Sequence, residues 1–81
     1  MPGPEPAKKK LSYLEAREWE HIEERVVEAE HRLGAARDAL EDPAIVSDPV
    51  KLVAAARHID EVQAEVDALY ERWAELGSKL G

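Results

Sequence analysis

Three consecutive lysines, Lys8, Lys9 and Lys10, are followed by Tyr13 and Arg17, an aromatic ring and a cation spaced one helical turn apart. Ammonium and guanidinium groups neutralise phosphates, and a phenol ring offers a face on which a base can stack, so this segment is a candidate nucleic-acid contact. Other chemistries find less support. His21, His31 and His58 are scattered, with no two at i, i+4 flanking a carboxylate, so the two-histidine helical zinc motif is absent. There is no cysteine, which excludes disulfides, thiolate metal sites and cysteine nucleophiles together. Gly3, Gly34, Gly77 and Gly81 are too dispersed to form a phosphate-cradling loop. Carboxylates are plentiful, but without a concave pocket their acidity is not tuned for catalysis. The expectation is a chain with no catalytic residues, metal, cofactor or small-molecule substrate of its own.

The elements that must position these groups are helical. The chain has 81 residues, of which 36% are charged and 5% aromatic, with no phenylalanine. That is too few large apolar groups for a thick core, and it suits long helices meeting along a seam. No run approaches the roughly 18 apolar residues of a membrane span. The opening Met-Pro-Gly-Pro-Glu-Pro-Ala lacks the apolar stretch of a signal peptide, so a cytoplasmic location with no membrane contact is expected.

Residues 1–11, with their prolines and lysines, read as a disordered basic linker. Residues 12–81 read as a hairpin. Ser12 and Glu15 have the spacing of a capping box, which starts a helix over residues 13–41. Asp42-Pro43 ends it, because proline disfavours a helical residue before it and has no amide to donate. Asp48-Pro49 opens a second helix, aspartate as cap and proline at the first helical position. That helix is expected over 49–77, with Gly77 as its stop and residues 42–48 as the connecting loop. Ile45 and Val46, apolar within this loop, are expected to fold back and close the tip.

Apolar residues recur at alternating intervals of three and four. In the first helix they are Trp19, Ile22, Val26, Ala29, Leu33, Ala36 and Leu40. In the second they are Leu52, Ala55, Ile59, Val62, Val66, Leu69, Trp73, Leu76 and Leu80. With Trp19 and Leu52 as a positions of a heptad, every one falls on a or d, the signature of a coiled coil. The fold class is therefore all-α: an antiparallel two-helix coiled coil with an ordered tip loop. Matching a with d pairs Ile22 with Trp73, Val26 with Leu69, Ala29 with Val66, Leu33 with Val62, Ala36 with Ile59 and Leu40 with Ala55. Flanking positions then bring Arg32 near Glu65 and Glu18 near Lys79. Exposed pairs of this kind select register more than they stabilise.

Lysine and arginine number 11 against 18 acidic residues, a net charge of −7, which argues against wholesale wrapping of nucleic acid. A local patch is still compatible with that total. The lysine run and Arg17 gather at the open end of the hairpin, and the register places Arg25 near Arg72, two like charges that a phosphate would relieve. Lys8, Lys9, Lys10, Tyr13, Arg17, Arg25 and Arg72 are thus the candidate contacts for a DNA or RNA backbone. Trp19 and Trp73 lie on the seam and are read as core.

Lys9-Lys10-Leu11-Ser12-Tyr13, followed by Glu15-Ala16-Arg17-Glu18, resembles the opening of the C-terminal domain of ABC-F ATPases of the Uup type. The stretch from Asp42-Pro43 through Ser47-Asp48-Pro49-Val50-Lys51-Leu52 looks like that family's connection between two helices. Tyr70-Glu71-Arg72-Trp73-Ala74-Glu75-Leu76 is similar to its close. Leu14 and Ala16 stand where that family often has Lys and Gln, and Trp19 where Leu is usual. The resemblance implies an accessory domain of a cytoplasmic protein with two tandem ATP-binding cassettes, which act on ribosomes or nucleic acid. ATP and Mg would belong to that parent, an ATPase, and not to this chain. DNA binding, or contact with ribosomal RNA, is the function it implies here. Two other readings are a protein-interaction coiled coil contacting the ribosome or the parent's ATPase domains, and a tRNA-contacting arm of the synthetase type.

Overall fold

A computed structural model describes residues 11–80. The lysine run and the rest of the expected linker, residues 1–10, lie outside the described residues. Leu11 does not belong to a free linker: it packs against Ile22, Val26 and Leu76.

Helix α1 spans Tyr13–Asp38, and it starts where the local chemistry requires. The Glu15 amide donates to Ser12 Oγ at 3.1 Å, and the Ser12 amide donates to Glu15 Oε1 at 3.0 Å. Two of the orphan donors at the helix start are thereby satisfied. At its other end α1 tightens into a 3₁₀ turn, Ala39–Glu41, and Asp42 leaves it in an extended conformation, as a residue before proline should.

The connecting loop is ordered, as expected, and contains a helical turn of its own. Asp42 caps a single-turn helix, α2 (Pro43–Val46), its carboxylate accepting from the Ala44 amide at 2.9 Å. Asp48 repeats the device for α3, accepting from Val50 at 3.0 Å and Lys51 at 3.2 Å. Each Asp-Pro pair starts a helix, and neither merely ends one. Within this tip Ile45 is half-buried, but Val46 is 48% exposed and does not close the seam.

Helix α3 spans Pro49–Lys79, longer by two residues than expected. Gly77 is not its stop. The C-cap is Leu80, in a right-handed conformation that needs no glycine. Gly77 instead faces the Trp19 ring: a Cβ built on it would lie 3.6 Å from Cη2 and Cζ3.

The two long helices pack antiparallel, with the core along the a/d seam. Ala29, Leu33, Val62 and Val66 form one cluster, flanked by Ile59 and Leu69. Ile22, Val26 and Leu76 form the second, flanked by Leu11, Trp19, Leu69 and Trp73. These clusters hold the neighbours that a/d matching assigns. Ile22, Val26 and Leu76 are almost fully enclosed, and each contributes about 1.5–3 kcal/mol of apolar burial. No helix among the described residues is long and apolar enough to cross a membrane.

Candidate nucleic-acid interface

The open end of the hairpin brings together the capping box of α1 and the last two turns of α3. Glu15, a d position, performs two tasks. One oxygen closes the capping box; the other accepts from the Lys79 ammonium across the seam. These bonds, the Lys79 one foremost, hold the Glu15 carboxyl down to about 2 against the opposing effect of desolvation. The start of one helix is thereby tied to the end of the other.

Arg72 sits beside this contact and is fully engaged. Its Nε donates to Glu18 Oε2 at 2.8 Å and its Nη2 to Glu18 Oε1 at 2.9 Å, a bidentate fork. Its Nη1 donates to Glu75 Oε1 at 2.8 Å, and Glu15 Oε2 is 3.9 Å from Nη2. Its hydrogen bonds to Glu18 and Glu75 push the guanidinium further toward its charged form, and Arg72 in turn lowers the Glu18 carboxyl. Two expectations are corrected here. Glu18 pairs with Arg72, leaving Lys79 to Glu15. Arg72 is bound by carboxylates, so it offers no free fork to a phosphate, and Glu18, which Arg25 also influences, lies between the two cations. The reason is combined reach: Glu18 lies one heptad, about 10.5 Å, from Arg25, and the long arginine and glutamate side chains lean toward each other along the seam to close that offset. The expected Arg32–Glu65 pair is present at 2.6 Å.

The remaining candidates are more open. Tyr13 is 72% exposed in the first turn of α1. Arg17 Nη1 donates to its hydroxyl at 3.1 Å, and the guanidinium carbon lies 5.8 Å from the ring centroid. Among the described residues Arg17 and Arg25 make no ion pair with a carboxylate. Arg25 is exposed on the same flank as Glu18. Lys8, Lys9 and Lys10 lie outside the described residues, and the last of them precedes Leu11 at this same end.

Heptad letters show an asymmetry that composition alone conceals. The g positions Glu18, Arg32, Glu65, Arg72 and Lys79 form a ladder of ion pairs along one side of the seam. The e positions Glu30, Arg37, Gln63 and Tyr70 use neutral-to-charged hydrogen bonds on the other: Tyr70 to Glu30 at 2.6 Å, and Arg37 to Gln63 at 3.0 Å. Both groups of letters are legible in the sequence; which partner each long side chain takes is not.

Two antiparallel helices joined by a capped turn, with ion pairs along one side of the seam, define a small helical hairpin. The chain belongs to the ABC transporter C-terminal domain family, whose model matches residues 10–78. No curated protein and no solved structure gives a match. The matched span includes the capping box, both Asp-Pro helix starts and the closing Tyr70–Leu76 segment; Lys8 and Lys9 precede it. The family is an all-helical C-terminal domain and not a catalytic one, so this chain is an accessory part of an ABC protein.

Proposed function

We propose that this domain is a noncatalytic nucleic-acid-binding module of a cytoplasmic ABC-F protein, contacting the DNA backbone, or ribosomal RNA, with its open end. The observation that carries the reading is the Tyr13–Arg17 pair: an exposed ring beside a guanidinium with no carboxylate partner among the described residues. Lys8, Lys9 and Lys10 immediately precede it in sequence and supply the remaining charge. Arg25 adds a further cation along the helix. Arg72 is no longer a contact in this reading; it holds Glu15, Glu18 and Glu75, which would otherwise repel a phosphate.

Binding of this kind is weak and salt-sensitive. Neutralising about four phosphates gives a log–log salt slope near −3.6 on duplex DNA. Fluorescence anisotropy with labelled duplex DNA, single-stranded DNA and structured RNA, at about 50 and about 200 mM salt, measures it directly. Joint replacement of Lys8, Lys9 and Lys10 by Glu should abolish the signal, and Arg17→Ala should weaken it on every ligand. Unchanged affinity in both variants would remove the basis of the proposal.

A second reading is favoured by the tip. Val50 and Val53 are exposed on α3 beside Pro49 and Arg57. Such a patch suits contact with the parent's ATPase domains or a ribosomal surface. It predicts no nucleic-acid affinity, and binding to those domains that is lost on Val50→Glu.

A further inference from the structure

The side of the seam lined by e positions carries an aromatic ledge that the open-end interface does not use. Trp19 and Trp73, the only two tryptophans in the chain, occupy seam positions yet remain half-buried. Tyr70 stacks on Trp73 with ring centroids 6.1 Å apart and 27° between the planes, and its hydroxyl donates to Glu30 at 2.6 Å. Gly77 lies against the Trp19 ring. Together Trp19, Tyr70, Trp73, Ala74 and Gly77 line one shallow cleft, and no charged side chain is among them. Such a lining suits an apolar occupant that packs on ring faces.

The chain itself carries such an occupant within reach. Leu11, where the described residues begin, packs against the cluster of Ile22, Val26 and Leu76 that Trp19 and Trp73 also flank. Before it the sequence reads Pro2-Gly3-Pro4-Glu5-Pro6-Ala7-Lys8-Lys9-Lys10. Proline fixes its own φ and turns the residue before it away from the α region, so alternating prolines favour polyproline II. With about three residues per turn, Gly3 and Pro6 share one face of that helix, Pro4 and Ala7 the next, and Pro2 and Glu5 the third. Two adjacent faces are thus apolar, and the charge is on the remaining one. The lengths also agree. Tyr70 and Gly77 are about 10.5 Å apart along α3, and Gly3 to Ala7 covers about 12 Å in polyproline II. From Ala7 the chain can extend about 13 Å to Leu11, more than the width of a helix, about 10 Å.

We propose that residues 3–7 of this chain dock in the cleft as a polyproline II segment, with the Gly3–Pro6 and Pro4–Ala7 faces against Trp19, Tyr70 and Trp73 and with Glu5 directed to solvent. Aromatic-lined grooves hold such segments because proline rings pack on them and a fixed φ leaves little freedom to lose. Pro4 and Pro6 also have no amide that docking could leave unpaired. On the receptor side, the Tyr70–Glu30 bond already holds the ring that ends the cleft. Lys8, Lys9 and Lys10 are then confined to the span between the cleft and Leu11. The inference does not rest on nucleic-acid binding, since both the cleft and its occupant belong to this chain.

Because the ledge holds both tryptophans, their fluorescence reports whether it is covered. Acrylamide quenching of the 81-residue chain is compared with that of two paired variants. Pro4→Ser with Pro6→Ser removes the docked faces and should raise the quenching constant by about 1.5-fold or more. Pro2→Ser with Glu5→Ser alters only the outward face and should change it by less than about 1.2-fold. Docking within one chain also makes the quenching independent of protein concentration between about 1 and about 100 μM. Far-UV circular dichroism confirms that the two helices, which none of these substitutions touches, are unchanged. The proposal is overturned by any of three results: no rise in the Pro4/Pro6 variant, an equal rise in both variants, or protection that is lost on dilution, which would assign the cleft to a second copy of the chain.

Discussion

Gly34 lies inside α1, four residues before Asp38, and is exposed to solvent. A Cβ built on it meets nothing within 4 Å, and its backbone is helical rather than left-handed. Replacement by alanine therefore adds neither a clash nor a contact. What changes is backbone freedom, which glycine loses more of on folding, and helix propensity; together these are worth about 0.5–1 kcal/mol. Gly34→Ala should stabilise the hairpin by that amount. With a urea slope of about 1 kcal/mol per M for a chain of this size, the midpoint should rise by about 0.5–1 M. The thermal midpoint should rise by about 2–8 °C. Urea titration followed by far-UV circular dichroism measures the first, with the slope unchanged if the surface exposed on unfolding is the same. A lowered midpoint would refute the reasoning, because it would require a backbone or neighbour at Gly34 that the fold does not contain.

Other substitutions probe the seam and the open end. Gly77→Ala should be neutral to stabilising by up to about 1 kcal/mol, with altered tryptophan emission from the new contact on Trp19; a left-handed stop at that position would make it destabilising instead. Leu76 is fully buried, so Leu76→Ala should cost about 2–5 kcal/mol and remove most helicity at room temperature, whereas Val50→Ala at an exposed site should shift the urea midpoint little. The Glu15 carboxyl is lowered from 4.5 to about 2 in the folded chain. As pH falls through that window the unfolded chain takes up the proton first, so stability present above about pH 4.5 is lost toward pH 2. Glu18 is displaced in the same direction. Urea midpoints at about pH 6 and about pH 3 should therefore fall less in Glu15→Gln than in the unaltered chain, and an equal fall would show that the Lys79 contact contributes nothing.

Much of the fold is local chemistry and was legible as such. Ser12 and Glu15 name a helix start because their spacing satisfies each other's amides, and Asp48-Pro49 does so because a carboxylate caps what proline begins. Asp42-Pro43 has the same form, and it starts a helix as well as ending one. Gly77 has the residue type of a terminator, but within reach of Trp19 its lack of a side chain serves packing. The candidate site was legible in part. Tyr13 and Arg17 emerge as neighbours because i, i+4 residues share a helix face, and that follows from sequence spacing.

Arg72 shows where sequence reasoning stops. Layer matching locates its Cβ near Arg25, but its long side chain leans along the seam to meet Glu18, one heptad from Arg25, and Glu75 on its own helix. The sequence by itself determined two long helices, their caps and the seam, since these depend on periodicity and on bonds between residues three or four apart. The tertiary structure alone decided which carboxylate each long cation takes, how far Trp19 and Trp73 remain open, and that one side of the seam is an ion-pair ladder and the other an aromatic ledge. Those outcomes depend on competition among several partners within reach in three dimensions, which no interval along the chain encodes.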